Sequence, residues 1–167
     1  MSQQIPVTRS SLRKAHAMSV PRPMPDVPDR LWSENEWQRI QLGYRAASMD
    51  EKWNIYVEDE RLFLHRSWTG FLAYEAVFTK EDGGGRRITS ALVESDPERY
   101  RSASADYDRI TLELVISAIL LGERADDLRT RMATALRADT GSTAAAVAQH
   151  SVVGVRTAQT ASRPHHP

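Results

Sequence analysis

KWNIYVEDERLFLHRSWTGFLAYEAVF, from Lys52 to Phe78, is the densest run of β-branched and aromatic residues in the chain, and its reading decides the fold. Asp59-Glu60 separates two strand-like runs and reads as a tight two-residue connection. That turn sets Val57 opposite Leu62, Ile55 opposite Leu64 and Trp53 opposite Arg66. All six share one side of the ribbon, because strand side chains alternate with a period of two. Thr69-Gly70 offers a second two-residue turn, which places Trp68 opposite Phe71, Arg66 opposite Ala73 and Leu64 opposite Glu75. The first face then gains Trp68, Phe71, Ala73, Glu75 and Val77, while Tyr56, Phe63, His65, Leu72, Tyr74 and Phe78 gather on the second. Both faces are partly apolar, so the expected sheet is covered on one side and incompletely covered on the other.

Outward from this ribbon, the flanking segments supply helices and one more strand. Ser33-Glu34-Asn35-Glu36 is a capping box, followed by Trp37, Ile40 and Tyr44 at helical spacing. Thr79 to Gly85 reads as a flexible loop; its three glycines lack the Gly-Lys-Ser/Thr ending of a phosphate-binding loop. Ile88 to Val93 is a fourth strand, antiparallel to the third. Ser95-Asp96-Pro97-Glu98 opens a turn or a short helical segment. From about Tyr107 to Leu121 the chain is apolar nearly all round, as a buried helix is, and Leu128, Met132 and Leu136 stripe a further amphipathic segment. The expectation is an α+β fold. An antiparallel β-meander of about four strands is packed by a buried C-terminal helix and a short N-terminal one.

Length suits one domain, expected over residues 29–137. Residues 1–28 carry Pro6, Pro21, Pro23, Pro25 and Pro28 with few apolar side chains. They read as a disordered, mildly basic arm whose burial would not offset its ordering entropy. Residues 138–167, rich in Ala, Ser and Thr, read as a disordered tail. Formal net charge is zero, so nothing globally basic points to nucleic acid, and nucleic acid is not an expected partner. The absence of cysteine removes disulfides, thiolate zinc sites and cysteine nucleophiles, and fits the cytoplasm. No signal-peptide core opens the chain, and no apolar run reaches the roughly 20 residues a membrane helix needs. Lysine is confined to Lys14, Lys52 and Lys80 among many arginines, as GC-rich bacterial coding produces.

The chemistry-bearing residues lie in the central ribbon: Lys52, Trp53, His65, Arg66, Ser67, Trp68 and Glu75 form the candidate ligand-binding set. In the register above, Arg66 and Glu75 are diagonal neighbours between Trp53 and Trp68. The structural reading is an ion pair, since an unpaired buried guanidinium is costly. The functional reading makes Arg66 an anion clamp with Trp68 as its stacking wall. His65 and Ser67 sit two residues apart on one strand, with no Asp or Glu to complete a triad, so no catalytic residue is assigned. No metal site or cofactor is expected.

The run MDEKWNIYVEDERLFLHRSWTG, from Met49 to Gly70, resembles a β-hairpin signature of small uncharacterised bacterial proteins, in which a KW opening precedes an RSWTG element. The matching residues are Lys52, Trp53, Arg66, Ser67, Trp68, Thr69 and Gly70, and the resemblance implies no activity, fold or ligand. Two classes of function stay open: a non-catalytic module binding or regulating a protein partner, and a small enzyme or ligand-binding domain. The second would handle a phosphorylated or carboxylated small molecule, nucleotide or ADP-ribose-like, through Arg66, Lys52 and His65.

Overall fold

The computed structural model describes residues 4–140. Its centre is a five-stranded antiparallel sheet in the order β1-β5-β4-β3-β2, with β1 at Pro21–Pro23, β2 at Trp53–Glu58, β3 at Arg61–Arg66, β4 at Leu72–Lys80 and β5 at Arg86–Glu94. Helix α1 spans Glu34–Gln41. Helix α2, Ala105–Val115, continues as a π-helical turn over Ile116–Leu120, and α3 spans Asp126–Thr140. The fold is α+β, with one strand more than the four expected.

The first hairpin has the expected register: Trp53 pairs with Arg66, Asn54 with His65, Ile55 with Leu64 and Val57 with Leu62. Asp59 and Glu60 take φ of 50° and 62°. Positive φ at both central positions marks the turn whose twist matches the strands it joins. Helix α1 is entered through the Ser33/Glu36 capping box, and Trp37 and Ile40 are buried. Ser104 caps α2 through the Tyr107 N–H. Ile110, Leu112, Leu114 and Val115 join Ile55, Leu62, Leu64 and Phe78 in one buried cluster, to which α3 adds Leu128, Met132 and Leu136. Within that cluster Tyr74 donates to Asp108 at 2.7 Å, and Ser102 donates to the other carboxylate oxygen at 2.8 Å.

The second hairpin departs from expectation. Its loop is four residues, not two: Arg66 N–H donates to Phe71 O and Gly70 N–H donates back to Arg66 O, both at 2.8 Å. Gly70 has φ of 76°, and a Cβ there would sit 2.4 Å from Lys14 Cβ, so both conformation and space call for glycine. His65 then pairs with Leu72, and a register shift follows at once, so that Leu64 faces Tyr74 and Phe63 faces Glu75. One residue of slip moves every later side chain of a strand to the opposite face. Tyr74, Ala76 and Phe78 therefore enter the core, and Glu75 leaves the Arg66 side of the sheet.

The N-terminal segment is also corrected. Residues 4–28, expected as part of a disordered arm, run along the second face and edge of the sheet. Pro21, Arg22 and Pro23 pair with Glu94, Val93 and Leu92; a strand this rich in proline tolerates only an edge position. Ser19 and Val20 donate backbone N–H groups to Glu94 at 2.7 and 2.9 Å. Further back, His16 N–H donates to Gly70 O, and Leu72 N–H donates to His16 O. Arg9, Ala17, Met18 and Pro21 line a cavity with Tyr56, Phe63, His65 and Leu72. Backbone hydrogen bonds tie this segment down, together with Met24, which is buried in the core cluster, and Val27, which packs against it. The expected tail from residue 138 lies, beyond Thr140, outside the described residues. No helix among the described residues is long and apolar enough to cross a membrane.

Candidate functional site

The loop Ser67–Gly70 is pinned on three sides. Ser67 N–H donates to Lys52 O at 2.9 Å, its hydroxyl donates to the Glu51 main-chain carbonyl at 2.6 Å, and Trp68 Nε1 donates to Met49 O at 3.0 Å. Beneath it, His65 presents Nδ1 to Gly70 O at 2.8 Å and Nε2 to the Tyr56 hydroxyl at 3.2 Å. Nδ1 must carry the proton, since a carbonyl only accepts; Nε2 then accepts from Tyr56. Burial is the larger influence on this imidazole and holds it below its usual pKa, against the opposing pull of the Gly70 carbonyl.

Beside this loop lies a cleft of about 280 Å³ lined by Lys52, Arg66, Ser67, Trp68, Thr69 and Arg99. The Arg66 guanidinium sits over the Trp53 ring at 4.7 Å, and Lys52 Nζ sits 5.6 Å from the Trp68 ring centroid. Arg99 lies over Phe71 at 4.6 Å and donates to Ala17 O at 3.1 Å. The turn opened by Asp96 presents it: Glu98 N–H donates to the Asp96 carboxylate, and Arg99 N–H to its main-chain carbonyl. Tyr100 and Tyr107 stand close enough to feel the Arg66 charge, which lowers their pKa values against a larger upward push from burial.

No carboxylate lines the cleft, and among the described residues Lys52, Arg66 and Arg99 form no ion pair. The nearby Glu51 carboxylate is buried, held by the Tyr44 hydroxyl and the Ala47 N–H. The expected Arg66–Glu75 pair does not form. Glu75 faces the other side of the sheet, where Arg61 donates to it at 3.0 Å. His65 is likewise on that side, only 2% exposed.

Of the seven candidates, the structure thus brings together Lys52, Arg66, Ser67 and Trp68 over Trp53, and separates His65 and Glu75 from them. Sequence reasoning missed Arg99. Its only local signal is a position just after the Asp96-Pro97 turn, and nothing local connects that turn with Arg66. Three oriented cations that form no ion pair among the described residues, each set over an aromatic ring, can take an anion by charge-assisted hydrogen bonds. Among the described residues no group of three or more His, Asp or Glu side chains could hold a metal ion. Comparison with family models, curated proteins and solved structures finds no match.

Proposed function

We propose that the protein is a non-catalytic binding module whose ligand carries a phosphate or carboxylate group, held between Lys52, Arg66 and Arg99. The observation that carries this reading is the convergence of those three cations on one cleft with no carboxylate in its lining. Like charges brought together repel, and a fold that stabilises itself by ion pairs pairs them; Arg22, Arg30, Arg61 and Arg86 all have carboxylate partners here. Cations left together in a concave site concentrate an anion instead. The loop they flank is held by hydrogen bonds through Ser67, Trp68 and His65, so little ordering accompanies binding. Binding suits the site better than catalysis: the Ser67 hydroxyl is spent on Glu51 O, and His65 works beneath the loop.

Thermal-shift titration with pyrophosphate, citrate and nucleotides at constant ionic strength tests the reading. A ligand at a hundred times its dissociation constant adds about 2.7 kcal/mol of stability. That gain is expected in the wild type and absent in Arg66→Ala. Equal stabilisation of both proteins places the anion elsewhere and defeats the proposal.

A further inference from the structure

Trp68 is shared by two clefts. A second cleft, of about 500 Å³, is also lined by Ser67 and Trp68, together with Arg13, Lys14, Arg45 and Asn54 among others, again without a carboxylate. Arg13, Lys14 and Arg45 are exposed and, like the cations of the smaller cleft, form no ion pair among the described residues. The indole between the two groups is 56% exposed. It is nonetheless fixed in place, through its Nε1 bond to Met49 O. Lys52, which lines the smaller cleft, lies over the ring, and the larger cleft borders the same indole.

We propose that the two clefts form one track for a single-stranded nucleic acid, whose backbone crosses the Trp68 ridge with a base stacked on the indole. Successive phosphates on either side of a stacked base need positive charge on both sides of an aromatic platform, which is how strand-tracking surfaces are built. A lone small anion needs only one of the clefts, and an acidic peptide has no use for an oriented, exposed indole. Zero net charge does not oppose this, because attraction follows the local distribution of charge and not its sum. The second cleft draws on residues 13 and 14 of the N-terminal segment, which Gly70 lets pass close over the loop. The inference rests on the anion-site reading above and extends it.

The test is fluorescence anisotropy of labelled oligo(dT) and oligo(U), about 12 nucleotides long, within the span single-stranded binding folds cover, titrated with the full chain at several salt concentrations. Affinity is expected to fall as salt rises, with a log–log slope of about −0.7 for each phosphate neutralised. Trp68→Ala should weaken binding at least about fivefold, the lower end of what one stacked base supplies, and Trp68→Phe should recover part of it. Arg13→Ala with Arg45→Ala should flatten the salt slope without touching pyrophosphate stabilisation, and Lys80→Ala should change neither. A preference for oligo(U) over oligo(dT) would identify RNA as the source of the strand, and the reverse DNA. Binding indifferent to Trp68→Ala, or matched by poly-glutamate of equal length, overturns the proposal. If neither oligonucleotide binds while Arg66-dependent pyrophosphate stabilisation persists, the track falls and the anion site stands. If that stabilisation is missing too, both fall.

Discussion

The guanidinium of Arg66 rests on the face of Trp53, 4.7 Å from the ring centroid, and has no carboxylate beside it. A half-exposed contact of this kind contributes about 0.5–1 kcal/mol, far below the 3–5 kcal/mol lost on breaking a buried ion pair. Arg66→Ala should therefore lower unfolding stability by about 1 kcal/mol or less. A double-mutant cycle with Glu75 should show no coupling, whereas Arg61 and Glu75 should couple by about 0.2–1 kcal/mol. Chemical denaturation of the single and double variants measures both. Strong Arg66–Glu75 coupling would restore the register the sequence alone favours.

The N-terminal segment is part of the folded unit. Glu94 is 1% exposed and accepts N–H groups from Ser19, Val20 and Asp96. Burial pushes its carboxyl upward, but these donors and Arg99 together outweigh that and hold it below the usual range. A chain beginning at Asp29 loses two of the three donors and uncovers Tyr56, Phe63 and Leu72. Leaving a buried charged acceptor short of partners costs about 1–3 kcal/mol, before the lost apolar burial is added. The truncated chain should melt well below the full chain in calorimetry. Coincident melting would mean the segment is only loosely attached.

Leu114 is fully buried in the core cluster that α2 shares with the sheet and α3. Leu114→Ala should cost about 2–5 kcal/mol, the range for a truncated core leucine. A urea midpoint shifted by less than about 1 kcal/mol, a surface-like effect, would contradict this placement.

His65 makes stability depend on pH. Its pKa is lowered on folding, chiefly by burial, so between the folded and unfolded values the unfolded chain binds the extra proton. The stabilisation is complete above the unfolded value of about 6.5 and is lost as pH falls through that window. Wild type should lose more stability than His65→Gln between about pH 7.5 and 5.5. Parallel losses in the two proteins, read from denaturant midpoints, would show that His65 does not titrate in this way.

What the sequence made legible was local. The Ser33 capping box, the Asp59-Glu60 hairpin and the Leu128, Met132, Leu136 stripe each follow from a short pattern, and each is where that pattern puts it. The side of the sheet on which Glu75 falls was not legible, because it depends on a four-residue loop and an unpaired residue after it. The loop ends at Gly70, which Lys14, distant in sequence, approaches too closely for any side chain. The N-terminal segment escaped notice for a related reason: besides the single buried Met24, its attachments are backbone groups meeting Glu94 and Gly70, invisible to a count of apolar side chains. Lys52, Arg66, Ser67 and Trp68 could be named together since they share one hairpin, whereas Arg99 reaches them only through the tertiary fold.

Anion binding by Lys52, Arg66 and Arg99 can be followed through the arginine side-chain Nε–H signals in nuclear magnetic resonance during a pyrophosphate titration. Arg66 and Arg99 should show saturable shifts with a common midpoint, while Arg87 and Arg124, paired elsewhere with Asp29 and Asp126, stay still. Shifts that fail to saturate, or that Arg87 and Arg124 share equally, would contradict it.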